Sequence, residues 1–147
     1  MRKINFLFLL IIQFSFSQAP SIQWQKTFGG TDYDYAQSIQ QTSDGGYIVA
    51  GYSQSNDGDV TGFLGFMDLW IVKLSALGTI QWKKTLGGSD FDSASSIQQT
   101  TDGGFIVAGY AVSNNGDVTG NHGGGDMWIV KLSNNGCLLY TSPSPRD

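Results

Sequence analysis

Asp102-Gly103-Gly104-Phe105-Ile106-Val107-Ala108-Gly109-Tyr110 repeats Asp44-Gly45-Gly46-Tyr47-Ile48-Val49-Ala50-Gly51-Tyr52 almost letter for letter. The offset is 58 residues (102 − 44), and it holds well outside these stretches: Trp24 recurs at Trp82, Asp59 at Asp117 and Trp70 at Trp128. Residues 22–136 align on themselves without a gap and about two-thirds of the aligned positions are identical, the signature of tandem structural units. Within the first unit, short β-rich runs alternate with turn signals. Residues 38–42 end at Ser43-Asp44-Gly45-Gly46, which supplies the positive φ of a tight hairpin. Further runs occupy residues 47–52, 69–74 and 79–86, and a long polar loop, 53–66, separates the first two of these.

Four short strands per unit is the content of one propeller blade. The runs 47–52 and 69–74 are apolar on both alternating faces, with Ile48 and Ala50 against Tyr47 and Val49, then Trp70 and Val72 against Leu69 and Ile71. A strand covered on both sides reads in this continuous way, whereas a sheet with one wet face alternates cleanly. The expected fold is therefore all-β: two tandem 58-residue four-stranded β-propeller blades, residues 22–79 and 80–136, of an incomplete ring. A right-handed β-helix fits less well, because its coils are much shorter than 58 residues. If a blade begins at Ala36, the segment 23–28 is an orphan fourth strand that could latch the last blade of a ring.

Composition supports this architecture. There are 20 Gly, 13% aromatic residues and no Glu, a balance that suits turns and strands and lacks the usual helix formers. Arg2 and Lys3, an apolar stretch to Ile12, and small residues at Ser15 and Ser17 read as an export signal, residues 1–17. The apolar stretch falls short of the roughly 20 residues that span a bilayer, so the chain is expected to be secreted or at the cell surface, with no membrane insertion. Residues 137–147, Cys137-Leu138-Leu139-Tyr140-Thr141-Ser142-Pro143-Ser144-Pro145-Arg146-Asp147, resemble nothing before them and read as a translated sequencing adapter. Setting both ends aside leaves 5 basic and 11 acidic residues, a net of −6. Such an acidic surface repels phosphate backbones and excludes nucleic-acid binding as the expected role.

The stretch Leu86-Gly87-Gly88-Ser89-Asp90 with Asp92, Ala94 and Ser96-Ile97 resembles the secreted bacterial β-propeller repeat of the SBBP type. So do residues 102–110 and Asp126-Met127-Trp128-Ile129-Val130-Lys131-Leu132, and the resemblance covers residues 24–136. It implies several blades in a closed ring, within large exported proteins that often carry a C-terminal sorting or anchoring domain. The departures are the loop Asn114-Asn115-Gly116-Asp117 and too few units to close a ring. Further blades of the same chain are accordingly expected partners of these two.

Candidate chemistry lies in the acidic loops. Asp32 and Asp34, with their equivalents Asp90 and Asp92, follow Gly-Gly turns and could ligate Ca²⁺ or bond nearby backbone N–H groups. Asp57-Gly58-Asp59 and Asn115-Gly116-Asp117 resemble calcium loops in their oxygen donors, but lack EF-hand spacing and its terminal Glu. His122 is the only His and aligns with Leu64, so the unit does not require it. Trp70 and Trp128 are expected in the core, while Trp24 and Trp82 could serve either packing or glycan stacking. No catalytic residue or cofactor is expected: Glu is absent, and neither a nucleophile elbow nor a phosphate loop is present. The function expected is a non-enzymatic scaffold or binding module for a protein or glycan partner. The alternatives are an accessory propeller of a larger secreted hydrolase and an adhesin-like spacer.

Overall fold

The computed structural model describes residues 19–139. The expected export signal and residues 140–147 of the expected adapter translation lie outside them. The chain is all-β, with seven strands: β1 (Asp34–Gln41), β2 (Tyr47–Ser53), β3 (Asp68–Leu74), β4 (Ile80–Leu86), β5 (Asp92–Gln99), β6 (Phe105–Ala111) and β7 (Asp126–Leu132). They form two antiparallel sheets, β1-β2-β3-β4 and β5-β6-β7. Among the described residues no helix is long and apolar enough to cross a membrane. Register in one sheet is that of the other 58 residues on: Val49 faces Ile39 and Val72, as Val107 faces Ile97 and Val130.

The β1–β2 hairpin is built by its turn residues. Gly45 takes φ +80°, the Gly45 N–H donates to Thr42 O at 2.9 Å, and the Thr42 N–H donates to Gly46 O at 2.9 Å. Asp44 accepts from the Gly46 N–H and the Thr42 hydroxyl. Lys73, in the neighbouring strand, sets its ammonium 2.8 Å from Asp44 Oδ2 and also donates to Gln81 Oε1 and Leu74 O. This amine, on a side chain only 6% exposed, is thus fully partnered. Its hydrogen bond is the main reason that the Asp44 carboxyl lies well below the usual carboxylate range. In the second sheet Lys131 pairs with Asp102 and Thr100 in the same way.

β1 starts four residues before the run read at Ser38. Asp34 extends it by pairing with Ser53 and by accepting from the Ser53 and Ser55 hydroxyls. The register slips between Ala36 and Ser38, a bulge that pushes the Tyr35 carbonyl toward β2. Gly51 lies opposite. A methyl group there would stand 1.8 Å from Tyr35 O, and at Gly109 it would stand 1.9 Å from Ser93 O. Only glycine lets the two strands close at this point.

The sheets stack face to face. Ile48, Ala50, Leu69, Ile71 and Leu86 of the first sheet, each 0% exposed, meet Ala94, Ile97, Phe105, Val107, Val130 and Leu132 of the second. Strand β4 joins the two layers: it hydrogen-bonds to β3, while Trp82 sits edge-on to Phe105, ring centroids 5.7 Å apart, and covers Gly136. Residues 22–28 reproduce half of this arrangement. Trp24 sits edge-on to Tyr47 at 5.8 Å and covers Gly78, yet the segment has no strand partner among the described residues. β3 is buried along its whole length, whereas β7, its equivalent, is buried only at Val130 and Leu132.

Gly51→Ala will destabilise the chain by about 2–4 kcal/mol, the range of severe single substitutions. Gly125→Ala, where a methyl group meets only side-chain carbons at 3.5 Å or more, will stay within about 0.5 kcal/mol of the parent. Urea unfolding of the two variants followed by tryptophan fluorescence measures both.

Candidate functional site

Antiparallel pairing brings the starts of β1, β3, β5 and β7 to one end, together with the ends of β2, β4 and β6. This rim carries the Gly-Gly turns, the long loops after β2 and β6, and every acidic residue singled out in the sequence. The first unit shows how they are used. The Gly29 N–H donates to Asp59 Oδ2 at 3.3 Å, the Gly30 N–H to Asp34 Oδ2 at 2.8 Å, and the Thr31 N–H to Asp57 Oδ1 at 2.8 Å. The Asp32 N–H donates to Ser55 Oγ, and Asp32 Oδ1 accepts from the Tyr33 N–H. Return bonds run from the Asp59 N–H to Gly29 O and from the Val60 N–H to Asp57 O.

The second unit repeats the set. Asp117, Asp92 and Asn115 accept from the N–H groups of Gly87, Gly88 and Ser89. Asp90 accepts from the Phe91 N–H. Replacement of Asp57 by Asn115 is thereby explained, since the amide oxygen accepts the same bond at the same 2.8 Å. Asp32, Asp34, Asp57 and Asp59 therefore gather on one turn, and Asp90, Asp92 and Asp117 on the other. In both turns the carboxylates tie a long loop to the peptide groups of a Gly-Gly segment. Among the described residues no three His, Cys, Asp or Glu side chains are arranged as a metal ligand set.

One acidic residue at this rim was not singled out from the sequence. Asp68, the first residue of β3, is 0% exposed, and its Oδ1 has no hydrogen-bond partner. Its Oδ2 accepts from the Leu64 N–H. Burial pushes its carboxyl up to about 6 against the lowering effect of the Leu64 and Gly65 N–H groups, and Asp92 and Asp117 add like charge. The available signal was its recurrence as Asp126 at the head of an otherwise apolar strand. Asp126 differs because a mobile loop side chain reaches it: the backbone N–H and then the ring of His122 hold its carboxyl below the ordinary value. His122 itself is exposed, with Nδ1 3.0 Å from Asp126 Oδ2.

Aromatic side chains at the rim form the second feature that the sequence left unassigned. Phe66 and Phe91 stack across the seam between the sheets, centroids 5.7 Å apart and 11° from parallel. Tyr35 and Tyr52 stack at 5.1 Å. Phe66 is 68% exposed and Tyr33 66%. The tryptophans are used otherwise: Trp70 is buried, Trp128 packs on the core, and Trp24 and Trp82 lie half-buried over glycines of the adjoining unit. The chain matches no protein-family model and no curated protein.

The Asp68 arrangement makes a signed prediction. Its carboxyl holds a proton more tightly in the folded chain than in the unfolded one. Its contribution to stability is therefore complete below the ordinary carboxylate value and is lost as pH rises through about 6. Asp68→Asn keeps an acceptor for the Leu64 N–H and cannot ionise. It will raise the Tm at pH 7.5 by several degrees (roughly 4–8 °C per kcal/mol), and the gain will vanish near pH 4. Thermal unfolding of both chains across pH 4–8 checks this, and an equal shift at every pH would refute it.

Proposed function

We propose that this chain is a secreted, non-enzymatic scaffold and binding module of the β-propeller type, belonging to a larger exported surface protein. It engages a protein partner through the rim that carries the long loops. The observation that carries this reading is the gathering of exposed aromatic side chains at that one end: Tyr33, Tyr35, Phe66 and Phe91. Large apolar side chains left in water at a single rim favour association, and Tyr and Phe are enriched where proteins meet. The exported setting follows from the reading of residues 1–17. Propeller-type stacking is supported by two sheets that pack face to face with one register.

A binding role also accords with what the carboxylates do. They hold loops through bonds from backbone N–H groups, and the single histidine is solvent-exposed and paired with Asp126. A rim made rigid in this way presents its aromatic groups with little further ordering, which favours affinity.

Display of the chain against a panel of extracellular proteins and a glycan array tests the reading. Phe66→Ala with Phe91→Ala will weaken binding at least tenfold, about 1.4 kcal/mol, because both faces of one stack are lost. Leu77→Ala, at the opposite end of the sheet, will leave binding unchanged. Capture by glycans alone would overturn the protein partner, and turnover of glycoside or ester substrates would overturn the non-enzymatic assignment.

A further inference from the structure

The two open faces of the molecule are the two halves of an interface that it already contains. On the first sheet, the row Ile48, Ala50, Leu69 and Ile71 is fully buried against the second sheet. Fifty-eight residues on, the same row is Ile106, Ala108, Met127 and Ile129, and it faces outward: Met127 is 83% exposed and Ile129 51%. The opposite faces mirror this. Ile97 and Val107 of the second sheet are buried, while their equivalents Ile39 and Val49 stand open on the first sheet.

That open face is a cleft rather than a plane. It encloses about 410 Å³ and is lined by Trp24, Phe28, Ile39, Val49, Trp70 and Val72 among others. Its shape has a cause. Trp24 and Phe28 already pack on the first sheet, as Trp82 and Leu86 of β4 pack on the second. β4 also hydrogen-bonds to β3, whereas residues 25–28 have no strand to bond. Meanwhile β7, the equivalent of β3, has β6 as its sheet partner and meets the chain again only at Leu138 and Leu139. Its segment from Met127 to Val130 lies beyond that contact.

We infer that the chain associates head to tail with a second copy of itself. The outer face of the second sheet enters the cleft of the next copy, and β7 pairs with residues 25–28 of that copy. The register is fixed by the internal interface. Leu69 faces Leu86, Ile71 faces Lys84 and Val72 faces Lys83 within one chain. Between chains, Met127 faces Phe28, Ile129 faces Lys26 and Val130 faces Gln25. No refolding is required, because Trp24, Lys26 and Phe28 stay on their own sheet and only gain the β7 edge. The contact is heterologous, so it either closes a ring or propagates a filament. Rings of roughly four to eight sheets, the usual propeller range, correspond to roughly two to four copies of this two-sheet chain. The inference rests on the stacking part of the proposed function and is independent of any rim partner.

Sedimentation velocity and interchain disulfide trapping test it, both on the full chain carrying Cys137→Ser. The parent will sediment as a discrete oligomer of roughly two to four copies, or as filaments that grow with concentration. Met127→Lys with Ile129→Lys, changes at exposed positions that leave the circular dichroism spectrum intact, will sediment as a monomer. An equimolar mixture of Lys26→Cys and Ile129→Cys chains will form a heterodimeric disulfide under mild oxidation, and a mixture of Thr27→Cys and Ile129→Cys will not. A parent that is monomeric at all concentrations would overturn the inference. So would disulfides between two Ile129→Cys chains in preference to the mixed pair, since they would mean a symmetric face-to-face contact. Rim binding can survive either result, and its loss would leave the association untouched.

Discussion

Everything in this structure depends on one apolar seam, in which Ile48, Leu69, Ile71 and Leu86 close against Val107, Val130, Leu132 and Phe105. Burying side chains of this size stabilises by about 1.5–3 kcal/mol each, an upper figure because an unfolded chain already covers part of its surface. Neither sheet could stand without it. A two-layer arrangement needs each sheet to offer at least one dry face, and the continuous apolar runs of β2 and β3 supply two. The first sheet spends one on the seam. The other is only partly filled by Trp24 and Phe28, so the fold as it stands leaves apolar surface in water on both outer sides.

Polar groups set where the seam can lie. At one end, Lys73 and Asp44 fasten the β1–β2 hairpin to β3 and to Gln81 of β4. At the other, Asp34, Asp57 and Asp59 fasten the loop after β2 to the N–H groups that lead into β1. Hydrogen bonds to charged acceptors contribute about 1.5–3 kcal/mol each in favourable settings, and less where water competes, as at the exposed Asp57. Their larger effect is geometric. They hold a loop of some length in one conformation, which is how Phe66 comes to lie flat against Phe91 of the following sheet. The buried Asp68 opposes this economy, with an oxygen lacking a partner beside two other carboxylates. Its location at the junction of the sheets makes the seam sensitive to pH.

Much of this was legible in the residues. Asp44-Gly45-Gly46 and its copy announced the hairpins, and the period placed all seven strands within a few residues. Apolar runs on both faces announced stacking. The beginning of β1 was missed because Asp34 and Tyr35 look polar and exposed. What extends the strand there is a contact with Ser53 and Ser55, residues about twenty positions away. Distance in sequence also hid the roles of the acidic residues. Local spacing allowed Asp57 and Asp59 to be read as ligands or as turn-formers, whereas their partners are N–H groups of Gly29 and Thr31, nearly thirty residues earlier. Asp68 was invisible for a different reason, since nothing in a single residue type reports burial.

A repeated sequence normally makes repeated environments, and departures from that rule show what a unit lacks. Met127 and Leu69 occupy equivalent places, yet one is in water and the other is fully enclosed. Trp70 is buried while Trp128 is partly open. The chemistry of these pairs is nearly the same, so only the neighbour differs. In stacked arrays each unit draws stability from the interfaces on both its sides, and two units share one such interface between them. The selective retention of Ile106, Met127 and Ile129 on an outward face argues that the face is meant to be covered. A surface under no such demand would have admitted polar residues at those positions, as the exposed turn at Asn134 and Asn135 has done where its counterpart carries Ala76 and Leu77.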